Sequence, residues 1–526
     1  MGVRQRFACV ALSVGMILIG LWSSSPGMAT TPGTLIVGLV AEPTSMDPGQ
    51  LNDINSMRVL ANIYDTLVRF APGTFELRPG LATSWTISPD GLTYTFKLRK
   101  GVTFQDGTPV DAAAIKFVYD RLLDPAHPYH NTGPFPFATF YYGAIKETRV
   151  VDPSTVRFVL KRPFSPFLHN LTLNTGRIVS PAAVKKWGKE FASHPVGPGP
   201  FKFVSWEKSV RIILDKNPAY WDGAPKLNRL VFRPLVEEQT RVTELLSGGV
   251  DFIVDVPPDN LAQLKNDNRF QLYEQPGPHI WWVTLNTKKK PFNDPRVRQA
   301  VNYAINKEGI CRDVLKGTCT PAAGPIPPAI TWAFSQQIKR YTYSPEKAKA
   351  LLREAGYPNG FSASFWIPES GSGMQSPKTM AEAIQADLAA VGIKASIQTY
   401  EWGAYLSQYS KGLAAADMGA MSFMLDPGDP APMLSLVIDG HASSPNGFNS
   451  GYYDNPKVNQ LLLQATETVD QAKRGALYRQ VAAVVADDAP WIFIDNAVQT
   501  AAAVKRVKGF VLSPTFYLFF HDTWVQ

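Results

Sequence analysis

Catalytic spacings are missing from this chain. It has no Gly-x-Ser-x-Gly elbow, no His-Glu-x-x-His helix, no Cys-x-x-Cys, no Gly-rich loop ending in Gly-Lys-Ser/Thr and no complete Gly-x-Gly-x-x-Gly. Those absences remove the simplest routes to a serine hydrolase, a zinc protease, a thiol redox enzyme and a nucleotide-binding subunit. Gly197-Pro198-Gly199-Pro200 comes nearest to a phosphate cradle and fails, because its prolines have no N–H to offer. His127 and His130 have a ligand-like spacing without a third ligand nearby, so turn and packing roles are expected of them. No catalytic residue, metal or cofactor is expected.

Long apolar runs are as scarce. Mean hydropathy is −0.10, and the one uncharged stretch of membrane character, Phe7 to Trp22, stands at the N-terminus behind Arg4 and Arg6. A basic start, a short apolar centre and the small residues Gly27 and Ala29 describe a secretory leader, 1–29, cleaved after Ala29, not a membrane span. Excess charge is small: 52 basic and 44 acidic side chains. The densest basic runs, Lys288-Lys289-Lys290 and Lys505-Arg506-Val507-Lys508, are not interleaved with aromatics, so no nucleic-acid groove is expected. Of three cysteines, Cys9 leaves with the leader, and Cys311 and Cys319 allow a single intrachain disulfide in an oxidising compartment. Cys9 precedes most of the apolar centre, which is the wrong place for a lipoprotein anchor. A freely soluble exported product is expected.

What is present is material for real cores. With 526 residues, 45% hydrophobic and 11% aromatic, the chain cannot be mainly disordered and should form about three domains. Thr34 to Val40 reads as a buried strand running into the turn Glu42-Pro43-Thr44-Ser45. Trp85 to Leu98 alternates, Tyr94, Phe96 and Leu98 on one face, and folds at Ser88-Pro89-Asp90-Gly91 as an antiparallel hairpin. Asp111 caps a helix carrying Ile115, Val118 and Leu122. From Arg211 the pattern becomes α/β: strands Arg211 to Leu214 and Leu230 to Arg233, a helix Glu237 to Leu246, a strand Asp251 to Val254. From Trp281 a second α/β series begins, with strand Trp281 to Asn286, a helix around Val297 to Leu315, helices from Ser344 and from about Thr379 to Val391, strand Ile393 to Thr399, helix Trp402 to Tyr409 and strand Met418 to Phe423. Helices Pro456 to Glu467 and Gln471 to Ala486 and strand Trp491 to Ile494 close the series. No period of 20 to 50 residues repeats, which excludes a solenoid or propeller. Two α/β blocks around a strand-rich insertion suggest lobes with a cleft between them.

Several ordered blocks resemble the family 5 extracellular solute-binding proteins of ABC importers, the dipeptide, oligopeptide and nickel-chelate group. They include Ser84-Trp85 through Asp90-Gly91, Tyr94-Thr95-Phe96-Lys97-Leu98-Arg99, Pro109-Val110-Asp111-Ala112, Gly199-Pro200-Phe201, Tyr220-Trp221 and Arg296-Val297-Arg298-Gln299-Ala300. Asp124 to His130 and Tyr400-Glu401-Trp402-Gly403 are most similar to the dipeptide-binding branch. The resemblance implies a two-lobed type II periplasmic binding protein fold of the Venus-flytrap kind, α/β, with three domains. Domain I would be 30–62, 196–279 and 497–526; domain II, 63–195, would be the strand-rich insertion; domain III, 280–496, would be the second lobe. Strands near Pro278 to Trp282 and Ile494 to Ala497 would form the hinge. The implied product is a periplasmic monomer that delivers a small peptide or similar solute to an ABC permease, and because the chain has no nucleotide loop the ATPase is another subunit.

The resemblance also implies a site. Asp426 stands where relatives pair an Asp with the ligand's α-ammonium. Glu42, Thr44 and Ser45 match a ligand-contacting loop, and Trp282, Trp402, Phe423 and Tyr141 stand where relatives line the cleft with aromatic walls. The Arg that holds a peptide carboxylate is absent from Ser376-Pro377-Lys378-Thr379-Met380-Ala381-Glu382; Lys378 brings a point charge without a planar fork. A longer peptide or a non-peptide solute such as a nickel chelate, opine, glutathione-like compound or oligosaccharide therefore stays open. From the residues alone, Asp426 and Asp429 also suggest a carboxylate pair of a secreted hydrolase.

Overall fold

The computed structural model of the chain describes residues 32–50, 53–369, 374–425 and 427–526. The leader with Cys9, the cleavage point after Ala29 and the ammonium candidate Asp426 lie outside the described residues. Among the described residues, no helix is long and apolar enough to cross a membrane.

Local rules set most elements. Thr34–Leu39 is buried along its whole length, as a strand covered on both faces must be. Ala82–Ile87 and Thr93–Leu98 form the expected hairpin, Trp85 opposite Phe96 and Ile87 opposite Tyr94. Its second strand buries Tyr94, Phe96 and Leu98 and leaves the intervening residues more exposed. Ile145–Asp152 and Thr155–Leu160 complete a four-stranded sheet. Helix Ala112–Leu123 buries Ile115, Val118 and Leu122 and is capped by the Asp111 carboxylate, which accepts from the Ala114 N–H at 2.9 Å.

Two parallel units follow the α/β pattern. Thr34–Leu39 lies parallel to both Arg229–Pro234 and Phe252–Val254; the helix between the latter two, Glu238–Ser247, ends on Gly248 at φ +82, a left-handed conformation open to a residue without Cβ. Ser362–Pro368 lies parallel to both Lys394–Tyr400 and Met418–Met424. Two long strands, Phe270–Leu285 and Trp491–Val504, run antiparallel to each other and join both units into one eleven-stranded sheet.

The apolar side chains do not form one core. A first cluster is drawn from Ile280 through Ile494. A second takes residues of the N-terminal half together with Ala501, Ala503 and the C-terminal tail to Phe520, and a small third surrounds the helix Glu238–Ser247. The two long strands pass from one core to the other: Ile280 to Leu285 and Trp491 to Ile494 lie in the first, Phe270 and Ala502 in the third.

Some expected boundaries are corrected. The strand expected from Trp281 begins at Phe270. Pro276 and Pro278 interrupt the alternation that marks a strand, and the ladder absorbs them by a register shift between Pro276 and Ile280. The strand at Trp491 continues to Val504, past Asp495 and Asn496, whose polarity hides it in sequence. The helix expected to run to Leu315 stops at Ala304; the Asn306 side chain accepts from the Gly309 N–H at 2.9 Å and begins a separate turn. Cys311 and Cys319 are joined, their Cα atoms 5.3 Å apart, and Cys319–Pro321 pairs with the strand Trp491–Val504.

Candidate functional site

The loop leaving the first strand is pinned from two directions. Thr44 Oγ1 donates to Asp53 Oδ2 at 2.6 Å and the Thr44 N–H to Ser56 Oγ at 2.8 Å, tying the loop to the start of helix Ile54–Leu60. Ser45 is buried and donates to Gln50 Oε1 at 2.9 Å. Glu42 Oε1 accepts from Trp206 Nε1 at 2.9 Å and from the Ser209 N–H at 2.8 Å. Partial burial works against the Glu42 charge, but these hydrogen bonds and Lys208 outweigh it and hold the carboxyl below its usual range. Tyr141 packs on the same core, half-buried beside Phe140, ring centres 4.9 Å apart.

The other candidates belong to the first core. Phe423 is half-buried near the end of Met418–Met424, paired across the ladder with Ile280. Trp402 opens the helix Trp402–Tyr409, half-buried and stacked on Tyr405 at 6.1 Å. Lys378 is exposed in the first turn of Pro377–Ala390, a helix that buries Met380, Ala381, Ile384 and Leu388. Trp282 is a correction: it is fully buried, stacked on Trp491 at 4.2 Å, and its indole N–H donates to Thr284 Oγ1 at 2.8 Å. It fills the core and lines no cleft.

Asp429 is unsuited to a hydrolytic carboxylate pair. It is fully buried, receives Arg474 Nη2 at 2.6 and 2.8 Å, and caps helix Pro430–Val437 by accepting from the Ala431 N–H at 3.0 Å. Around it the two cores touch. Ser165 donates its N–H to the Thr466 carbonyl at 2.9 Å and its hydroxyl to the Ala465 and Thr466 carbonyls. His169 Nδ1 is 3.9 Å from Asp429 Oδ2. Burial, with Arg474 adding to it and Asp429 opposing, pushes the ring down to about 4, so His169 is neutral at pH 7 and this contact is not an ion pair.

Sequence reading named the crossing strands, near Pro278 to Trp282 and Ile494 to Ala497, but not the buried polar residues they carry. Between Ile494 and Ala501 the strand carries Asp495, Asn496, Gln499 and Thr500, all buried. Trp281 pairs with Asp495; the two border a small cavity with Leu315, Thr318, Gln375 and Ala497. Among the described residues no acceptor reaches Trp281 Nε1 or Gln499 Nε2. The available signal was an acidic residue directly after the apolar run Trp491 to Ile494. A much wider surface depression, about 610 Å³, lies elsewhere, beside Asp294 and Arg296; these two side chains pair with each other at 2.7 Å.

Two cores hung on a pair of crossing strands, with a buried polar seam between them, define the class: an α/β periplasmic binding protein fold. The solved structure of the ABC transporter-associated periplasmic binding protein DppA from Helicobacter pylori, in complex with the peptide STSA, matches it with a TM-score of 0.80 and 35% identity, covering 94% of this chain and 98% of that one. Residues 76–444 match the family described as bacterial extracellular solute-binding proteins, family 5 Middle. The chain belongs to that family. It is 38% identical over 480 residues to heme-binding protein A of Haemophilus influenzae, 88% of this chain and 87% of that protein. It is 33% identical to the glutathione-binding protein GsiB of Escherichia coli K12 across 99% of each.

Proposed function

We propose that this chain is the periplasmic receptor of an ABC importer, capturing a small peptide or a similar amino-bearing solute between its two cores and presenting it to the membrane permease. The observation that carries the reading is the crossing itself: two separately packed cores joined by two strands whose junction residues are polar yet buried. Bodies joined so narrowly can close over a solute, and binding then shifts the population toward the closed form. The separation of domain III (280–496) from the rest is supported by core membership, whereas domain I (30–62, 196–279 and 497–526) and domain II (63–195) share one core and their division is proposed; binding without turnover is supported by the pairing of Asp429 with Arg474.

In this reading Asp426 takes the solute's ammonium group, and Lys378 adds a mobile positive charge. A second reading keeps the role and changes the cargo to a porphyrin or another non-peptide, and is favoured by the similarity to a heme-binding protein. The test is mass spectrometry of what leaves the protein when it is purified from the periplasm without refolding and then denatured. Short peptides or glutathione support the first reading and a porphyrin mass the second; a chain that carries nothing and binds none of these added solutes contradicts both. For a solute with a free α-amine, Asp426→Asn should weaken binding at least about tenfold, given the cost of an unpaired desolvated charge, with unchanged thermal unfolding. Equal affinities by calorimetry would remove Asp426 from the site.

A further inference from the structure

The crossing strands carry more polarity than their packing needs. Asp495 is 3% exposed and Trp281 1%; among the described residues the Trp281 indole N–H has no acceptor, and burial works against the charge of the Asp495 carboxyl. Leaving a buried donor unpaired is costly, and Asp495 stands opposite this one at the same register position. Further along the same strand, past a register shift of the ladder, Gln499 adds a second buried N–H without a partner among the described residues. The cavity that Trp281 and Asp495 border leaves about 10 Å³ for the centre of a water-sized group, which is room for one oxygen atom.

The hydrogen-bonding character of the walls decides what fits. The indole can only donate. Thr318 Oγ1 sits 2.7 Å from the Leu315 carbonyl and 2.5 Å from Gln375 Oε1, so its proton is already engaged. Burial pushes the Asp495 carboxyl up to about 8, which leaves it an O–H donor at neutral pH. The indole N–H and the protonated Asp495 carboxyl both offer a hydrogen to an acceptor oxygen.

We propose that the Trp281–Asp495 cavity is an inner subsite that takes one acyl oxygen of the captured solute, a carboxylate or amide carbonyl oxygen, between the indole N–H and the Asp495 carboxyl. This deepens the receptor reading and rests on it. It places recognition of the solute's acyl end on the crossing strands, beside the first core to which Trp281 and Leu315 belong, in a chain that lacks the expected Arg.

The test uses the full exported protein, purified without refolding and offered glutathione, Ala-Ala, Ala-Ala-Ala and haemin, with native mass spectrometry identifying which are retained. Affinity for each retained probe is then measured by calorimetry in wild type, Trp281→Phe, Asp495→Leu and Asp495→Asn. The expected result is at least about tenfold weaker binding for Trp281→Phe and Asp495→Leu, from the unmade hydrogen bonds. Asp495→Asn, which keeps a donor in the same volume, should stay within about threefold of wild type on the same grounds. Circular dichroism and thermal unfolding verify that each variant folds, and the near-isosteric Asp495→Asn keeps the comparison valid if Asp495→Leu does not. Wild-type affinity in both Trp281→Phe and Asp495→Leu would mean that the cavity holds only water and would overturn the subsite. An Asp495→Asn loss as large as that of Asp495→Leu would overturn the donor role. A wild-type protein that carries no solute and retains no probe fails at the receptor reading, before the subsite is reached.

Discussion

At the scale of single residues, the pair Asp429–Arg474 shows how a tempting catalytic carboxylate becomes structural. Both side chains are at most 2% exposed, and the two hydrogen bonds between them leave the carboxylate no freedom to serve chemistry. Breaking such a pair strands a buried charge: Arg474→Met should destabilise the protein by about 3–5 kcal/mol. Replacing both partners together, as Arg474→Met with Asp429→Asn, should recover part of that loss. Urea unfolding measures both, and a single variant within about 1 kcal/mol of wild type would contradict a desolvated pair.

Elements here begin and end by short-range chemistry that the sequence announces. Asp111, Ser344, Asn455 and Asp470 each cap a helix through their own side chains, and all four stand where a start signal should. Where local signals mislead, a longer-range constraint explains it: Asn306 breaks a helix whose apolar spacing runs on, and the following turn is held through Cys311–Cys319 to a strand in the large sheet. Closing a loop of sequence separation 8 should contribute about 2–3 kcal/mol through the unfolded chain's lost entropy. A double Cys311→Ser, Cys319→Ser variant should lose that amount in denaturant unfolding, with its far-ultraviolet spectrum unchanged. No loss would show that the disulfide is dispensable to the fold.

For the whole molecule, the two cores touch around Ser165 and His169. His169 is held to about 4 by burial, below the ordinary histidine value, so its contribution is fully present above pH 6.5 and is lost as pH falls toward 4. The stability of this packing should therefore fall with acidification in that window. His169→Phe removes this titration, so the stability gap between wild type and variant should shift steadily against wild type from pH 6.5 to 4. Parallel pH profiles of the two proteins, by unfolding midpoint and by small-angle scattering radius, would show that His169 does not titrate at this contact.

The sequence alone determined the hairpin, the helix caps, both α/β units and the family, because each depends on residue spacing within one segment or on ordered blocks along the chain. Tertiary structure alone decided that Trp282 is core, that Asp429 belongs to Arg474, and that Asp495 lies opposite a Trp281 whose indole N–H finds no acceptor among the described residues. The first and last depend on which strands become neighbours across more than two hundred residues of chain, and the second on a helix cap and a helix that meet across 45 residues. Burial and unmet hydrogen bonds are properties of that meeting, and no local pattern encodes them.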